Sequence, residues 1–256
     1  MVNLTIGNKV LKDIELMIFD KDGTLFELYP YCSKMVFQRT RAVMNVMKNQ
    51  DIVLENWLIN EMGVDLKNEK IYPQGPIGVY SKYYAIDMLF EKINANGYHI
   101  TKDMLKNAFG EADININHQN YLKEALVPVH GMIEFIKRSN DKSKCAIFSN
   151  DMTQRLKDTL DIFNIGSYFD CVLGGDLVKK HKPDPMGVLQ IMECLNVSPE
   201  KTAFFGDSTL DIESAKRANC KYRIGVLSDI SDIDFLKRNS NAIITDFSQI
   251  SVEDEF

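Results

Sequence analysis

Short apolar runs alternate with amphipathic segments over most of the chain. The apolar runs end abruptly at polar residues, which predicts buried strands at 15–19, 144–148, 168–173, 202–205, 222–226 and 242–245. In the segments between them, apolar residues recur at i, i+3 and i+4, which predicts helices at 131–139, 154–164, 185–195 and 210–218. Strands that alternate with helices form βαβ units, so the sequence predicts an α/β fold built on a parallel sheet.

One stretch interrupts this alternation. Residues 26–126 show little strand pattern, and several amphipathic segments predict helices there. These segments lie at 32–48, 54–62, 79–96 and 101–108, with a weaker one that extends to 126. Pro128 and Gly131 mark the return of the alternating pattern. We therefore predict a core domain over 1–25 and 127–256, with a helical domain over 26–126 inserted after the first strand.

The composition is that of an ordinary globular protein. The 256 residues carry 30 Lys and Arg against 36 Asp and Glu, for a net charge of −6, and 45% of them are apolar. A chain of this length buries roughly three quarters of its surface on folding, so its core needs no disulfides. The acidic balance argues against binding to nucleic acid or to an anionic membrane surface. A phosphate group would therefore have to be met by a local cluster of cations.

The cysteines and the chain ends indicate a cellular location. Five cysteines, widely spaced and without a C-x-x-C pair, favour reduced thiols over disulfides or a zinc site. The amino terminus lacks the basic start and apolar run of a signal peptide, and no apolar stretch approaches the ~20 residues that span a bilayer. We expect a cytoplasmic protein, with the last residues, SVEDEF at 251–256, as a frayed acidic tail.

Two acidic pairs follow predicted strands. Asp20 and Asp22 come directly after the first strand, and Asp207 and Asp211 lie between a later strand and a helix. Each pair alone has a simpler structural explanation, because Asp and Gly are common in turns and Asp caps helix N-termini. The carboxyl ends of parallel strands meet at one edge of a sheet, however. There the carboxylates would together suit Mg²⁺, which prefers hard oxygen ligands.

Two further polar segments follow strands at the same edge. Ser149 and Asn150 offer a hydroxyl, an amide and backbone N–H groups, all suitable for phosphate oxygens. Lys182 offers a positive charge in a segment stiffened by prolines. Taken singly, the first segment is equally typical of a turn, and the lysine of a solvated side chain.

In this order the four segments resemble the motifs of the haloacid dehalogenase superfamily, specifically those of its phosphatases. DKDGTL at 20–25, FSN at 148–150, KPDP at 182–185 and FFGDSTLD at 204–211 are similar to motifs I to IV. The resemblance covers most of the chain, and 174–182 resembles the phosphoglycolate phosphatase branch. It implies a Rossmann-like parallel sheet as the core and a helical cap domain of the C1 type that closes over a small substrate.

The resemblance also assigns catalytic and metal-binding roles. Asp20 would be the nucleophile that forms an aspartyl-phosphate intermediate, and Asp22 would be the general acid and then the general base. Mg²⁺ would be held by the Asp20 carboxylate, the main-chain carbonyl of Asp22 and Asp207. Asp211 would lie close by or act through water.

The transferred phosphoryl group would be held by Ser149, Asn150 and Lys182, and the charges of this set would stabilise the transition state. The resemblance implies a Mg²⁺-dependent phosphatase of a small phosphorylated metabolite, a monomer or homodimer with neither nucleic acid nor membrane as a partner. Three alternatives remain at this point. They are a phosphoglucomutase-like enzyme, a phosphonatase-like enzyme with a cap lysine as a Schiff base, and a non-catalytic interaction protein on this fold.

Three positions near the motifs carry separate expectations. Asn219 stands where relatives usually have glycine after the motif IV helix, and we expect it to adopt the same left-handed conformation. Asp151 stands where relatives often have lysine, so we expect an altered rim around an unchanged phosphate site. His181 is expected at the surface.

Within the insertion, some residues are candidates for contacts with the rest of the substrate. Charged helix residues are more often solvated, and aromatic residues at helical spacing more often belong to a core. The basic candidates are Arg39, Arg41 and Lys82, and the aromatic ones are Tyr29, Tyr80, Tyr83 and Tyr84. The turn-rich loop 71–80 is the segment that we expect to reach the site.

Overall fold

The computed structural model describes residues 1–77 and 82–254. Its strands are β1 (Val2–Ile6), β2 (Lys9–Ile14), β3 (Leu16–Phe19), β4 (Val64–Asp65), β5 (Lys70–Ile71), β6 (Lys144–Phe148), β7 (Cys171–Leu173), β8 (Thr202–Gly206), β9 (Tyr222–Val226), β10 (Ala242–Ile244) and β11 (Ile250–Asp254). Its helices are α1 (Leu28–Val46), α2 (Ile52–Glu61), α3 (Lys82–Ala95), α4 (Lys102–Ile116), α5 (Gln119–Ala125), α6 (Met132–Asn140), α7 (Thr153–Ile162), α8 (Met186–Leu195), α9 (Thr209–Arg217) and α10 (Ile233–Asn239).

Two compact units divide the chain. The first unit combines Met1–Glu27 with Pro128–Phe256, and the second unit is Leu28–Val127. The chain enters and leaves the second unit between β3 and α6. Each unit has its own buried apolar residues, as a folded domain requires.

A six-stranded sheet forms the centre of the first unit. Its strands follow the order β10-β9-β8-β3-β6-β7, and every neighbouring pair is parallel. All four residues of β3 are buried, because helices cover both faces of a central parallel strand and continuous apolar runs suit that position. The predicted α/β fold with a parallel sheet is therefore confirmed.

Aromatic side chains fill one part of the core beside β3. The rings of Phe19 and Phe205, on adjacent strands, stack with their centroids 4.7 Å apart. Phe135 on α6 and Phe247 pack against both of them. Since these rings are almost wholly buried, they hold β3 and β8 side by side just before the polar loops at their carboxyl ends.

A second sheet of the first unit joins the two ends of the chain. β11 pairs with β1, and β1 pairs with β2, all antiparallel; Leu4, for example, lies opposite Val252. Ile250 is buried. The expected frayed tail is therefore wrong for residues 251–254, because their alternating pattern completes a strand ladder. The last two residues of that tail lie outside the described part of the chain.

The second unit is mainly helical. Helix α1 packs against α2, α4 and α5, and the short hairpin of β4 and β5 lies beside it. Its buried residues recur along the helices, as the i, i+3 and i+4 spacing predicted, for example Val36, Val43 and Leu105. Helix α3 begins at Lys82 in the structure, whereas the sequence pattern placed its start in the segment that the structure does not describe.

The basic candidates of the second unit are all paired with carboxylates. Arg39, almost buried, donates two hydrogen bonds to Asp113 at 3.1 and 2.7 Å. Lys82 forms an ion pair with the same carboxylate at 3.1 Å, and Arg41 lies 3.7 Å from Glu55. These pairs give the three cations a structural role within the unit.

The tyrosine candidates differ in their surroundings. Tyr83 and Tyr84 are exposed, so they are not core residues, and Tyr29 is half-buried. Tyr80 and the end of the loop 71–80 lie outside the described residues.

Candidate active site

Three adjacent strands deliver the polar segments to one edge of the sheet. β3 lies between β6 and β8, and these strands end just before Asp20, Ser149 and Asp207 respectively. The backbone N–H of Asp20 donates to the carbonyl of Phe205 at 2.9 Å, which continues the pairing of β3 with β8 into the loop. Because ligands of parallel sheets bind beyond the carboxyl ends of the strands, this edge is the expected place for a site.

Three buried carboxylates meet at this edge. Asp20, Asp207 and Asp211 each offer an oxygen atom, and these atoms all lie within 4.8 Å of one another. Each of the three residues is at most 8% exposed. Carboxylates this close repel one another strongly in a buried site, so the cluster needs positive charge.

Lys182 supplies part of that charge. Its Nζ lies 2.6 Å from Oδ1 of Asp20 and 2.7 Å from Oδ1 of Asp211, and the side chain is buried. The ammonium group also lies over the rings of Phe148 and Phe204, 4.8 and 5.5 Å from their centroids. Burial alone would lower the pKa of Lys182, but the two carboxylates outweigh burial and raise it.

The loop that carries Lys182 is anchored to its neighbours. The backbone N–H of Lys182 donates to Oδ1 of Asn150 at 3.1 Å, and the hydroxyl of Ser214 on α9 donates to the carbonyl of Asp184 at 3.0 Å. Ser149 is buried, and its Oγ accepts from the N–H of Asp151 at 3.1 Å. His181, next to Lys182, is exposed as predicted. The structure thus brings Ser149, Asn150 and Lys182 together.

Asp211 has two tasks in the structure. One carboxylate oxygen accepts hydrogen bonds from the N–H and hydroxyl of Ser208, while Ser208 Oγ accepts from the N–H of Asp211, which forms a capping box for α9. The other oxygen binds Lys182. The capping explanation is therefore confirmed, and the same side chain also faces the cluster. At the other end of α9, Asn219 adopts a φ of 58°, the left-handed conformation that we expected.

Two serines that the sequence analysis missed hold Asp207. The hydroxyl of Ser228 donates to Oδ2 of Asp207 at 2.5 Å, and the hydroxyl of Ser231 donates to its backbone carbonyl at 2.7 Å. Ser228 follows β9, a strand of the same sheet. The rule that polar residues after parallel strands gather at one edge would therefore have identified it.

The turn after Asp22 depends on a glycine. Gly23 has a φ of +84°, and a Cβ atom at this position would overlap with the carboxylate of Asp207. Only glycine offers both this backbone conformation and the room for Asp207. The DxDG segment therefore brings the backbone of the first loop against the second acidic pair.

Asp22 stands in different surroundings from Asp20. Its side chain is 27% exposed, and its Oδ2 lies 3.2 Å from the Nζ of Lys21, whose side chain is fully buried. Lys21 also donates to Oδ2 of Asp151 at 2.9 Å, and Arg155 binds the other oxygen of Asp151 at 3.1 Å. From the sequence, Lys21 had no expected role, and Asp151 was expected to alter the rim of the phosphate site.

Three carboxyl groups of the site, those of Asp20, Asp22 and Asp207, have raised pKa values. Burial raises the pKa of Asp20 to about 7, with Asp211 adding to the rise and Lys182 opposing it. Burial, with the charges of Asp211 and Asp20, raises the pKa of Asp207 well above its ordinary value. Burial likewise raises the pKa of Asp22, against the opposing charge of Lys21. Carboxyl groups with such shifts are typical of functional sites.

The donor set fits a magnesium ion. The cluster offers hard oxygen atoms, which Mg²⁺ prefers, and no sulfur or imidazole ligand. Lys182 balances one of the three carboxylates when all are ionised, so two negative charges remain for a divalent cation. Asp20, Asp207 and Asp211 are the residues whose carboxylates could together hold the ion.

Comparison with known proteins identifies the family. Residues 79–224, more than half of the chain, match the model of a family described as haloacid dehalogenase-like hydrolase. The chain belongs to this family. The matched range contains Ser149, Lys182, Asp207 and Asp211, and it begins after the first acidic pair.

Curated relatives and solved structures agree with this membership. The chain is 29% identical to a phosphoglycolate phosphatase of Aquifex aeolicus over 214 residues, which cover 81% of the chain and 83% of the relative. It is 35% identical to a phosphorylated carbohydrates phosphatase of Thermotoga maritima over 104 residues, which cover 41% of the chain and 47% of the relative. A predicted phosphoglycolate phosphatase from Haemophilus somnus 129pt has a TM-score of 0.69 and 21% identity, covering 93% of this chain and 96% of that one. A protein assigned as beta-phosphoglucomutase from Thermotoga maritima has a TM-score of 0.65 and 25% identity, covering 90% and 94%.

Two predictions are therefore confirmed. The chain belongs to the haloacid dehalogenase superfamily, and it is an enzyme, a phosphatase of this family. A non-catalytic interaction protein is correspondingly excluded. Among the described residues, no helix combines the length and the apolar character that a membrane span requires.

Proposed function

We propose that this enzyme is a Mg²⁺-dependent phosphatase of small phosphomonoesters that works through an aspartyl-phosphate intermediate. The observation that carries the proposal is the buried cluster of Asp20, Asp207 and Asp211 with Lys182 between two of its carboxylates. A nucleophilic carboxylate must approach an anionic phosphate, so the site needs fixed positive charge at this place.

In the proposed first step, a carboxylate oxygen of Asp20 attacks phosphorus and the bond to the ester oxygen breaks. The leaving alkoxide takes a proton from Asp22, whose pKa burial raises above its ordinary value, the direction that suits a general acid. The exposed part of the Asp22 side chain supports this role, because the leaving group must reach it. In the second step, water gives a proton to Asp22 and attacks phosphorus, which releases inorganic phosphate and restores Asp20.

The oxygens of the transferred phosphoryl group are bound in this proposal by Ser149, Asn150 and Lys182. Lys182 already touches the attacking carboxylate, so the same ammonium group can contact a phosphoryl oxygen next to it. Mg²⁺, held by Asp20 and Asp207 with the Asp22 carbonyl, would neutralise the charge of both the nucleophile and the phosphate. Positioning and charge stabilisation of this kind account for most catalysis of phosphoryl transfer.

The substrate in this proposal is a small phosphorylated acid or sugar. The names of the relatives in Aquifex aeolicus and Thermotoga maritima support these two classes. We further propose that 26–126 is the cap domain that selects the substrate and that the core domain is 1–25 with 127–256. The described cysteines are all free thiols, which supports a cytoplasmic enzyme. A monomer or a homodimer is compatible with this chemistry.

A second candidate is a phosphoglucomutase-like activity, because one structural neighbour is assigned as a beta-phosphoglucomutase. Such an enzyme would return the phosphoryl group from Asp20 to a sugar hydroxyl instead of to water. The two activities differ in product, since only the phosphatase releases inorganic phosphate in proportion to the substrate consumed.

Phosphate release from p-nitrophenyl phosphate, with and without Mg²⁺ and after EDTA treatment, tests the proposed function. We expect turnover with Mg²⁺, loss of turnover with EDTA, and recovery when Mg²⁺ is added back. Asp20→Asn should abolish turnover without changing the circular dichroism spectrum, because an amide of nearly the same shape cannot attack phosphorus. Turnover of Asp20→Asn close to that of the parent would reject the proposal. A panel of phosphorylated acids, sugars and a hexose 1-phosphate then separates hydrolysis from transfer.

A further inference from the structure

We propose that Lys21 and Asp151 form a positioning pair for the side chain of Asp22. This inference rests on the proposed role of Asp22 as the general acid, and it adds two residues that act through Asp22 and not on the substrate. It concerns the residue between the two motif I aspartates and the residue that follows Ser149-Asn150.

Lys21 links two loops that lie far apart in sequence. Its Nζ is 3.2 Å from Oδ2 of Asp22 and 2.9 Å from Oδ2 of Asp151, which is 130 residues away. The Lys21 side chain is 0% exposed, and that of Asp151 is 15% exposed. Arg155, in the first turn of α7, binds the other oxygen of Asp151 at 3.1 Å. The carboxylate of Asp151 is therefore held from two sides, and it holds the ammonium group of Lys21 in turn.

Burial of the Lys21 ammonium group is energetically unfavourable and calls for an explanation. Removing an ammonium group from water costs several kcal/mol, and well-packed apolar residues often serve stability at least as well as a buried ion pair. A requirement of the core alone would therefore be met by an apolar side chain at position 21. The ammonium group instead lies within ion-pair distance of the carboxylate that has to meet the leaving group.

Asp22 depends on this contact for its orientation. Lys21 forms an ion pair with the Asp22 carboxylate, and the charge of Arg155 also acts on this carboxylate. The Asp22 side chain is 27% exposed, so without the contact it would sample other rotamers. A displacement of a catalytic group by about 1 Å can lower the reaction rate on the order of 10²-fold. A fixed rotamer of Asp22 therefore favours efficient proton transfer to the leaving group.

Asp151 completes the pair by charge. Although burial opposes the shift, the charges of Lys21 and Arg155 lower the pKa of Asp151. An ionised Asp151 then attracts Lys21, so that the ammonium group lies within ion-pair distance of two carboxylates. The presence of aspartate at position 151, which the sequence analysis treated as a change of the rim, is thus matched to the lysine at position 21.

The test compares two substrates that differ in leaving group and hardly in size. Phenyl phosphate releases a more basic phenolate than p-nitrophenyl phosphate, so its cleavage depends more on an acid. The variants are Lys21→Met, Asp151→Asn, Asp22→Asn, and the double variant with Lys21→Met and Asp22→Asn. The matched control is Asp158→Asn, which removes a half-buried carboxylate from the same helix as Arg155, outside the site. The readout is kcat/KM for each substrate with saturating Mg²⁺, with circular dichroism and thermal unfolding for each variant.

We expect Lys21→Met and Asp151→Asn to lower kcat/KM for phenyl phosphate about tenfold more than for p-nitrophenyl phosphate. In the Asp22→Asn background, Lys21→Met should change kcat/KM for phenyl phosphate less than about twofold. The amide at position 22 has no acidic proton to donate, so its orientation by Lys21 no longer matters. Asp158→Asn should leave kcat/KM unchanged for both substrates.

The outcomes separate this inference from the proposed function. Equal losses on both substrates, or a full additional loss in the Asp22→Asn background, would overturn the positioning pair and indicate a general structural role. If Lys21→Met does not fold, Asp151→Asn alone decides, since its side chain is partly exposed and its loss removes only one partner of Lys21. If the parent has no turnover, or Asp22→Asn affects both substrates equally, it is instead the proposed function that fails.

Discussion

The Nζ of Lys182 lies 2.6 Å from Oδ1 of Asp20, although 162 residues separate the two in sequence. Both groups are buried, Asp20 directly after β3 and Lys182 in the loop between β7 and α8, and the lysine binds the Asp211 carboxylate as well. This contact gives the proposed nucleophile one fixed orientation. It also places a positive charge where a phosphate group would have to enter.

Loss of this contact should impair catalysis severely. We expect Lys182→Met to lower kcat by about 10² to 10³, the usual cost of removing one preorganised donor from a site of developing charge. Lys180→Met is the matched control, because Lys180 is an exposed lysine of the same loop whose ion pair is with Asp184, outside the acidic cluster. Rates of phosphate release should be unchanged for the control. Similar rates for the two variants would remove Lys182 from the phosphate site.

The close approach of Gly23 to Asp207 gives a second prediction. Gly23→Ala should cost about 1 to 2 kcal/mol of stability through its left-handed backbone. It should also displace the Asp207 carboxylate and weaken Mg²⁺ binding at least about tenfold, as measured by calorimetry.

Gly97→Ala provides the control for this backbone effect. Gly97 has almost the same φ, +83°, but a Cβ atom there would meet nothing within 4 Å. We expect this variant to show the same strain and an unchanged affinity for Mg²⁺. Equal affinities in both variants would contradict the steric account of Gly23.

The raised pKa of Asp20 predicts a dependence of stability on pH. Its folded pKa of about 7 exceeds the ordinary 3.8, so between these values the native state holds a proton that the unfolded chain releases. The stability from this group is complete below the unfolded value and is lost as pH rises through about 7. In the metal-free protein, the free energy of unfolding should therefore fall, through this group, as pH rises from about 4 to 7.

Mg²⁺ competes with this proton for Asp20. The rise in Tm caused by saturating Mg²⁺ should therefore be larger at about pH 8 than at about pH 5.5, because metal binding must displace the proton at the lower pH. Asp207→Asn should abolish most of the rise at both values. A rise that is the same at both pH values in the parent would contradict the assignment of Asp20 as a ligand.

The strand β11 gives a prediction about stability alone. Ile250 is 2% exposed and lies opposite Ile6 on β1. Ile250→Ala should lower the free energy of unfolding by about 2 to 5 kcal/mol in urea, as is usual for a buried isoleucine. The exposed neighbour Ser251, changed to alanine, should stay within about 0.5 kcal/mol of the parent. Equal small effects would mean that the carboxyl end frays in solution.

Local pattern was sufficient to predict the central sheet and the acidic pairs. The strand over Lys144–Phe148 has the predicted bounds, and Asp20 and Asp207 follow their strands as expected. These features depend on apolar runs and their abrupt ends, which are visible within a few residues. The parallel order of the strands then brings their ends together without further information.

Features that depend on residues distant in sequence could not be predicted from the local pattern of apolar and polar residues. The alternation in Val2–Ile6 is short, and its partner strand lies at the opposite end of the chain, so β1 and β11 were not paired in advance. Lys21 has a polar side chain that pattern alone places in solvent, yet it is buried because Asp151 meets it from another loop. Ser228, by contrast, follows β9 at the same edge and was within reach of the rule that identified Asp20 and Asp207, although a serine at this place is equally typical of a turn.

The central claim, that Asp20 carries the phosphoryl group, is tested most directly by trapping the intermediate. Asp22→Asn lacks the base for the second step, while p-nitrophenolate leaves without an acid. Acid quench of this variant after mixing with p-nitrophenyl phosphate and Mg²⁺, followed by mass analysis of its peptides, locates any covalent phosphoryl group. We predict close to one phosphoryl group per chain on Asp20, and none when Asp20→Asn is added. Release of p-nitrophenolate with no phosphorylated peptide, or with the group on another residue, would contradict the account.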